Sequence, residues 1–272
     1  MCSRNSRVDV KDRLEAYRIG SDHTNAAYRV PFNGGFVFLK IYGHKYPRIP
    51  YEIRRFMNSL GMRQPIEYTS PRRRRDFEKE ILLHWRSNGY HVPEIIDNPF
   101  HELSKLPVLT TRYIEGMTVR ELVQSDKVDE AEKREKIESL FHDIGMRHHS
   151  ALLRGDNRLF HIDANTRNIL FADNAIVHCD FEMGRPWESP VECASREILK
   201  ALVSLTEDME PSCMESLLTS FKDIYKEEEV YACIEKGISG RPFQAVHRYL
   251  NRRKKERDPG KITLYDILSC LS

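Results

Sequence analysis

The chain has 272 residues, of which 40% are hydrophobic, and its formal net charge is +2. This length and composition are those of an ordinary soluble globular protein with one large or two small lobes. No stretch approaches the 18 or so apolar residues of a membrane-spanning helix, and the N-terminus lacks the apolar segment of a signal peptide. We therefore expect a cytoplasmic protein. The six cysteines are scattered without metal-ligand spacing, which indicates free thiols rather than disulfides.

Positive charge is concentrated in residues 44–75, which hold nine Lys or Arg against two Glu. A second basic run occupies residues 252–255. Such patches favour phosphate-rich partners, and a solvated charged face is the alternative for each run taken alone. Residues 72–75 are four successive arginines without interleaved aromatic residues. They fit general attraction to phosphate better than base stacking, so nucleic acid is not the favoured partner.

The first half of the chain begins with strand patterns. Residues 17–20 and 26–30 read as two strands joined by a polar turn, and a turn at residues 33–35 precedes a third strand at 36–42. This strand contains one charged residue, Lys40. An inward-facing ammonium needs an anionic partner, whereas an edge lysine would point to solvent.

A helix pattern follows at residues 76–85, with apolar residues at helical spacing and Asn-Gly just beyond the end. Glu78 falls on its buried side, and Glu80 is the second choice for an inward carboxylate; a surface position is the alternative. Residues 108–116 then read as a strand, and the rest of the chain is mostly helical. The predicted helices are at 118–124, 129–153 and 192–205, with further helical patterns after residue 205.

Residues 160–182 carry the most informative pattern. Two short apolar runs, 169–171 and 175–177, flank an Asp-Asn pair, which predicts a tight hairpin. Asn168 and Asp180 bracket this hairpin, so it would bring them to one open end next to Asp163. The resulting hard oxygen ligands, with one further carboxylate, suit Mg²⁺ carried by a nucleotide.

These residues resemble the catalytic and metal-binding loops of the protein-kinase-like superfamily. The matching features are His161-x-Asp163, Asn168 five residues after that Asp, and Asp180-Phe181-Glu182. Most similar in style are small atypical members: lipopolysaccharide-core sugar kinases, aminoglycoside and choline phosphotransferases, and the Rio and Bud32 groups. The resemblance extends over about residues 17–205.

The resemblance implies a bilobal α+β fold of the protein-kinase-like type. Residues 1–115 would form an N-terminal nucleotide-covering lobe, made of an antiparallel sheet and one main helix, with the basic insert 43–75 within it. Residues 116–272 would form a mostly helical, reduced C-terminal catalytic lobe. The insert is longer than the usual connection between the corresponding strand and helix, so we expect it to contribute to the acceptor site or to contact an anionic partner.

The same resemblance implies roles for individual residues. Asp163 would accept the proton of the acceptor hydroxyl, while Asn168 and Asp180 would hold Mg²⁺. Lys40 would bind nucleotide phosphates and Glu78 would pair with Lys40. The remaining candidates for nucleotide binding lie in the polar turn and in the segment between the lobes: Gly20, Ser21, Thr24, Tyr113, Ile114 and Glu115.

Three departures from the family pattern affect these expectations. Asn165 occupies the position where protein kinases carry a phosphate-neutralising lysine, and Arg167 is a candidate substitute, with a solvent-facing turn residue as the alternative. Glu182 replaces the glycine of the usual Asp-Phe-Gly and could assist metal binding or alter the loop. Residues 183–191 are too short for the long segment on which protein kinases seat a peptide.

The sequence therefore predicts an ATP- and Mg²⁺-dependent phosphotransferase acting on a hydroxyl of a small molecule or of a carbohydrate, such as a lipopolysaccharide-core-like glycolipid. An atypical Rio- or Bud32-like Ser/Thr protein kinase and a nucleotide-binding pseudokinase scaffold are the alternatives. The basic insert at residues 44–75 is the expected contact for an anionic partner or a membrane surface. Such contact would place a cytoplasmic protein peripherally at the inner membrane.

Overall fold

The computed structural model describes residues 14–19, 25–43, 70–183, 188–209, 211–239 and 266–267. The chain divides into two compact units, Met1–Glu115 and Gly116–Ser272. Within the described residues, each unit contains a three-stranded antiparallel sheet, and most of the helices belong to the second unit. The predicted α+β class is confirmed. No helix in these ranges is both long enough and apolar enough to span a bilayer.

The sheet of the first unit is built from three consecutive antiparallel strands: β1 (Asn25–Phe32), β2 (Gly35–Tyr42) and β3 (Val108–Arg112). Asn33 and Gly34 join β1 to β2 with φ angles of 49° and 78°. Two successive positive φ angles define the type I′ hairpin turn, which Asn-Gly adopts with little strain. The predicted strand around Lys40 is therefore confirmed. Of the predicted strand at 17–20, the structure describes one isolated bridge, Arg18 to Tyr28.

The main helix of the first unit is α1 (Pro71–Ser87), and its start corrects the prediction. It begins five residues earlier than expected, so the four arginines belong to its first turns and not to a loop. The missed signal is Ser70, whose side chain accepts a hydrogen bond from the backbone of Arg73, followed by Pro71 as the first helical residue. An N-cap serine followed by proline is a typical helix start.

The two faces of the first sheet differ in character. One face packs into a hydrophobic cluster whose buried members are Leu14, Tyr28, Val30, Val37, Leu39 and Leu103. Because side chains alternate along a strand, Lys40 and Tyr42 of β2 point to the opposite face. The register thus separates the core of this unit from the face that carries the charged residue.

The second unit has a sheet formed by β4 (Met117–Thr118), β5 (Ile169–Ala172) and β6 (Ala175–His178) in that order. Strands β5 and β6 are joined by Asp173 and Asn174, with φ angles of 47° and 61°. This is again a type I′ turn. The hairpin predicted from the two apolar runs is therefore confirmed.

Five helices in the described residues complete the second unit: α2 (Val119–Gln124), α3 (Glu130–Arg154), α4 (Pro190–Asp208), α5 (Pro211–Ile224) and α6 (Glu228–Ser239). Helix α2 begins with a capping box between Thr118 and Glu121. Helix α3 ends at Gly155, whose φ of 64° is the usual left-handed helix termination. The apolar pattern predicted beyond residue 240 lies outside the described residues.

Candidate active site

Lys40 and Glu78 form a buried ion pair in the first unit. The ammonium nitrogen of Lys40 lies 2.8 Å from Oε2 of Glu78, and the two side chains are 8% and 6% exposed. The hydroxyl of Tyr42 donates to the same carboxylate oxygen at 2.5 Å. This geometry rules out the solvent-facing alternatives for both residues. Because the carboxylate is held from two sides, it fixes the position of the ammonium group.

Arg74 is a structural residue that the sequence reasoning placed in the basic loop. It is 3% exposed, and its guanidinium donates to Oδ1 of Asn25 at 3.2 Å and to the carbonyl of Gly43. Its spacing relative to Glu78 and Ile81 puts all three on the buried face of α1. That spacing is the signal which could have separated Arg74 from its exposed neighbours.

The segment after β3 is tied to the β1–β2 hairpin. The backbone nitrogen of Tyr113 donates to the carbonyl of Phe36 at 3.1 Å. The guanidinium of Arg29 lies over both aromatic rings, 3.7 Å from the centroid of Phe36 and 4.7 Å from that of Tyr113, and it pairs with Glu115. The carboxylate of Glu115 is therefore occupied by its ion pair with Arg29. The backbone around Ile114 is the better candidate for binding the base of a nucleotide. The other nucleotide-binding candidates, Gly20, Ser21 and Thr24, lie outside the described residues.

Asp163 and Asn168 are brought together by a tightly wound loop in the second unit. The side-chain nitrogen of Asn168 donates to the carbonyl of Asp163 at 3.0 Å and lies 3.5 Å from its carboxylate. Because the amide nitrogen faces Asp163, the amide oxygen points the other way. That oxygen is the atom which Asn168 could offer to a metal ion.

Asp180 follows the hairpin and has an uncommon backbone conformation. Its φ is 65°, in the left-handed region where Asp is tolerated better than most residues. The backbone nitrogen of Cys179 donates to the carbonyl of Asn168 at 2.8 Å, so the two ends of the hairpin are joined. Carboxylate oxygens of Asp180 and Glu182 lie within 4.8 Å of each other. Two carboxylates at this separation suit a hard divalent cation such as Mg²⁺.

His161 holds the segment before Asp180 in place. Its ring is fully buried, donates from Nε2 to the carbonyl of Cys179 at 2.8 Å, and packs edge-on against Phe181. Burial, and after it the neighbouring His178, lowers the pKa of His161 to about 4. The ring is therefore neutral at physiological pH. Its contacts with Cys179 and Phe181 give His161 a structural part in this segment.

A fully buried carboxylate, Glu197 of α4, organises the start of the same loop. It accepts from the backbone nitrogen of His161 at 2.7 Å and from Nε2 of His148 at 2.9 Å, and it forms an ion pair with Arg147 at 2.5 Å. Burial alone would raise the pKa of Glu197, but Arg147 and then His148 outweigh it and hold that pKa well below its ordinary range. Sequence reasoning missed Glu197 because its partners lie 36 to 50 residues away along the chain.

Three further side chains of α4 contact the loop. Ser204 accepts from the backbone nitrogen of Thr166 at 3.0 Å, and Asp208 accepts from the hydroxyl of Thr166. Lys200 lies between them and Glu197, and its ammonium nitrogen is 3.3 Å from Oδ1 of Asp163. Sequence reasoning missed these residues too, because polar side chains on an amphipathic helix ordinarily face solvent.

No family model and no curated protein matches the sequence. The solved structures that are similar to it include the following three. WaaP in complex with acyl carrier protein is 12% identical, with a TM-score of 0.47 over 86% of this chain and 92% of WaaP. The PknI kinase domain of Mycobacterium tuberculosis is 12% identical, with a TM-score of 0.44 over 80% of this chain and 92% of that one.

The third structure is the Rio2 kinase from Chaetomium thermophilum in its ADP/Mg²⁺-phosphoaspartate complex. It is 14% identical, with a TM-score of 0.44 over 97% of this chain and 73% of Rio2. All three TM-scores are below 0.5. The assignment of fold and site therefore rests on the element order, the buried Lys40–Glu78 pair and the loop contacts described above.

Proposed function

We propose that this protein is an ATP-dependent phosphotransferase that moves the γ-phosphate to a hydroxyl group. The observation that carries the proposal is the structure of the loop that contains Asp163 and Asn168. The side chain of Asn168 contacts Asp163, and Glu197 binds the backbone of the loop at His161. A backbone hydrogen bond between Cys179 and Asn168 joins the loop to the segment that contains Asp180. A loop anchored by fully buried groups keeps its reactive carboxylate in one position, which is what positioning catalysis requires.

Mg²⁺ is the metal that fits the available ligands. The amide oxygen of Asn168 and the neighbouring carboxylates of Asp180 and Glu182 are hard oxygen donors. Mg²⁺ bound there with ATP would offset negative charge on the phosphates. Asp180 is the main ligand in this proposal, and Glu182 adds a second carboxylate where related kinases have glycine.

In this proposal, Lys40 acts on the phosphates of ATP and Asp163 acts on the acceptor. Lys40 binds phosphate oxygens of ATP, and Glu78 keeps its ammonium from swinging away. Asp163 orients the acceptor hydroxyl and takes its proton. The acceptor oxygen forms a bond to the γ-phosphorus while the bond from that phosphorus to the oxygen of ADP breaks. Backbone groups around Ile114 would bind the base, and the polar turn with Gly20, Ser21 and Thr24 would cover the phosphates.

A small-molecule or carbohydrate acceptor is the first choice. Helix α4 begins at Pro190, only eight residues after Glu182. This connection is too short for the segment on which protein kinases seat a peptide. A glycolipid with a lipopolysaccharide-like core is a candidate, since its anionic groups and the adjacent membrane surface would suit the basic residues of 44–75 other than the buried Arg74. Peripheral attachment at the inner membrane belongs to this part of the proposal.

Incubation with γ-labelled ATP and a panel of acceptors tests the function. The panel contains free sugars, lipopolysaccharide-core oligosaccharides, aminoglycosides, choline and generic protein substrates. We expect label in a small-molecule or glycolipid product. Label in protein alone would support the Rio- or Bud32-like alternative. Binding of Mg·ATP without transfer to any acceptor or to water would support the scaffold alternative.

A further inference from the structure

We propose that Lys200 is the catalytic cation of this site: its ammonium group contacts the transferred phosphoryl group, the task that protein kinases give to a lysine of the catalytic loop. The inference deepens the proposed function and depends on it. It assigns a role to a helix residue that no loop motif contains.

The position of Lys200 on α4 is fixed by residues on either side of it. Glu197, Lys200 and Ser204 are spaced by three and four residues, so they share one face of the helix. Glu197 binds the backbone of His161, and Ser204 binds the backbone of Thr166. These two contacts hold this face of α4 against the loop, and Lys200 lies beside Asp163 as a result.

Lys200 is open to a ligand although its helix is anchored. Its ammonium nitrogen is 3.3 Å from Oδ1 of Asp163, and the two side chains are 47% and 30% exposed. An ion pair with this exposure is not a structural contact of the core, since exposed pairs contribute little to stability. A phosphoryl group arriving next to Asp163 can therefore share the ammonium group with it.

Within the described residues, the loop itself places no cation at ion-pair distance from Asp163. Asn165 occupies the position of the usual lysine, and its side chain stabilises the turn. Its side-chain oxygen accepts a hydrogen bond from the backbone nitrogen of Arg167 at 3.0 Å. Its side-chain nitrogen donates to the carbonyl of Asp163 at 3.2 Å. The side chain of Arg167 is exposed. Within the described part of the chain, Lys200 is the cation that lies at ion-pair distance from Asp163.

The chemistry requires a positive charge at this place. As the acceptor oxygen attacks the γ-phosphorus and the bond to ADP breaks, negative charge is spread over the phosphoryl oxygens. The acceptor proton moves to Asp163, which weakens the attraction of Asp163 for Lys200. The ammonium group is then available to the phosphoryl oxygens. Lys200 stays protonated and forms no covalent bond, so its whole contribution is electrostatic stabilisation of the transition state.

Lys200→Gln is the test, with Lys200→Arg as the charge-conserving variant and Lys222→Gln on the exposed surface of α5 as the matched control. Release of ADP with water as the acceptor gives a turnover number that does not depend on finding the natural acceptor. We expect Lys200→Gln to lower kcat about 10²-fold or more with the KM for ATP changed less than about threefold. Lys200→Arg should recover at least a tenth of the wild-type kcat, and Lys222→Gln should behave as wild type.

A binding measurement separates a catalytic role from a structural one. Wild-type protein should bind Mg·ADP more tightly when aluminium fluoride is added, because this complex mimics the transferring phosphoryl group. Lys200→Gln should lose that gain while keeping its affinity for Mg·ADP alone. The inference would be overturned if Lys200→Gln kept both a kcat and an aluminium fluoride gain in affinity for Mg·ADP near those of wild type. It would also be overturned if the kcat of Lys200→Arg were no higher than that of Lys200→Gln. If wild-type protein neither turns over ATP nor binds Mg·ADP, the proposed function itself fails.

Discussion

Lys40 and Glu78 show what a buried ion pair contributes at the scale of single residues. Removing two charges from water costs about as much as their attraction returns, so such a pair adds little net stability. Breaking it by removing one partner is far more costly, because the other charge stays buried. The pair therefore serves to hold an ammonium group in one place, which agrees with its proposed role at the phosphates of ATP.

Lys40→Met should destabilise the protein by about 3–5 kcal/mol, because it removes the ammonium group that pairs with the buried carboxylate of Glu78 at 2.8 Å. It should also abolish phosphotransfer. Lys79→Met, at the exposed position next to Glu78, is the matched control and should change the free energy of unfolding by less than about 0.5 kcal/mol. Urea titrations of both variants measure the difference. Equal stability of the two variants would show that the buried pair does not exist in solution.

His161 gives a prediction for pH. Its pKa of about 4 lies below the ordinary 6.5, so the unfolded chain takes up this proton at a higher pH than the folded protein. The associated stability is complete above pH 6.5 and is lost as the pH falls from 6.5 towards 4, by about 3 kcal/mol in all. His148, whose pKa burial also lowers, adds to the loss.

Urea unfolding at several pH values between 7.5 and 4.5 measures this dependence. His161→Gln should be less stable than wild type at pH 7.5, and its stability should fall less steeply through the same pH range. A variant whose pH profile runs parallel to that of wild type would contradict the buried, neutral state of His161.

At the scale of elements, the β5–β6 hairpin depends on a close approach by Gly116. A Cβ atom added there would lie 2.8 Å from the carbonyl oxygen of Phe171 and 2.9 Å from the Cβ atom of Ala172. Both are atoms of β5 that cannot move without disturbing the hairpin. Strand β4 can pair with β5 only because residue 116 has no side chain.

Gly116→Ala should therefore destabilise the protein by about 1–3 kcal/mol and lower phosphotransfer, since the hairpin positions Asn168 and Asp180. Gly35→Ala is the matched control, because the nearest atom to its added Cβ would be 4.0 Å away. Thermal unfolding of the two variants provides the comparison. A Gly116→Ala protein as stable as the control would mean that β4 and β5 are further apart than described.

Helix α4 anchors the loop that carries Asp163. Glu197→Gln should cost about 3–5 kcal/mol, because it removes the negative charge that pairs with the buried guanidinium of Arg147 at 2.5 Å. Glu192→Gln at the exposed N-terminal turn of the same helix should cost far less, about 1 kcal/mol. Urea unfolding of both variants measures whether the buried contacts of Glu197 stabilise the protein more than the exposed helix cap of Glu192 does. Similar losses for both would argue against the buried network.

The sequence was most informative where the signal was local. The Asp-Asn and Asn-Gly pairs predicted both hairpins, and the apolar spacing predicted the long helices, because turn chemistry and helical periodicity act over a few residues. The early start of α1 was missed although Ser70 and Pro71 signal it locally. The roles of Glu197, Lys200 and Ser204 on α4 could not be predicted for a different reason. Each contacts a loop residue some 37 positions earlier in the chain, and no local pattern indicates such a contact.

At the scale of the whole molecule, the two units supply different parts of the proposed reaction. The first unit holds the ammonium group of Lys40, the proposed phosphate-binding group, in its buried pair with Glu78. The second unit would supply Asp163 as the proposed proton acceptor, Asn168 and Asp180 as the proposed metal ligands, and Lys200 as the proposed cation. The fold class followed from the family resemblance that residues 160–182 carry. The acceptor did not, because substrate choice depends on surface residues that carry no periodic signal.

The most direct test of the phosphotransferase assignment is the rate of phosphate transfer from γ-labelled ATP by Asp163→Asn, measured together with its affinity for Mg·ATP. Asp126→Asn, an exposed loop position, serves as the control for the same chemical change. We predict that Asp163→Asn binds Mg·ATP within about threefold of wild type and transfers phosphate about 10²–10⁴-fold more slowly, because the proton acceptor is lost. Transfer by Asp163→Asn at the rate of wild type and of Asp126→Asn would contradict the account.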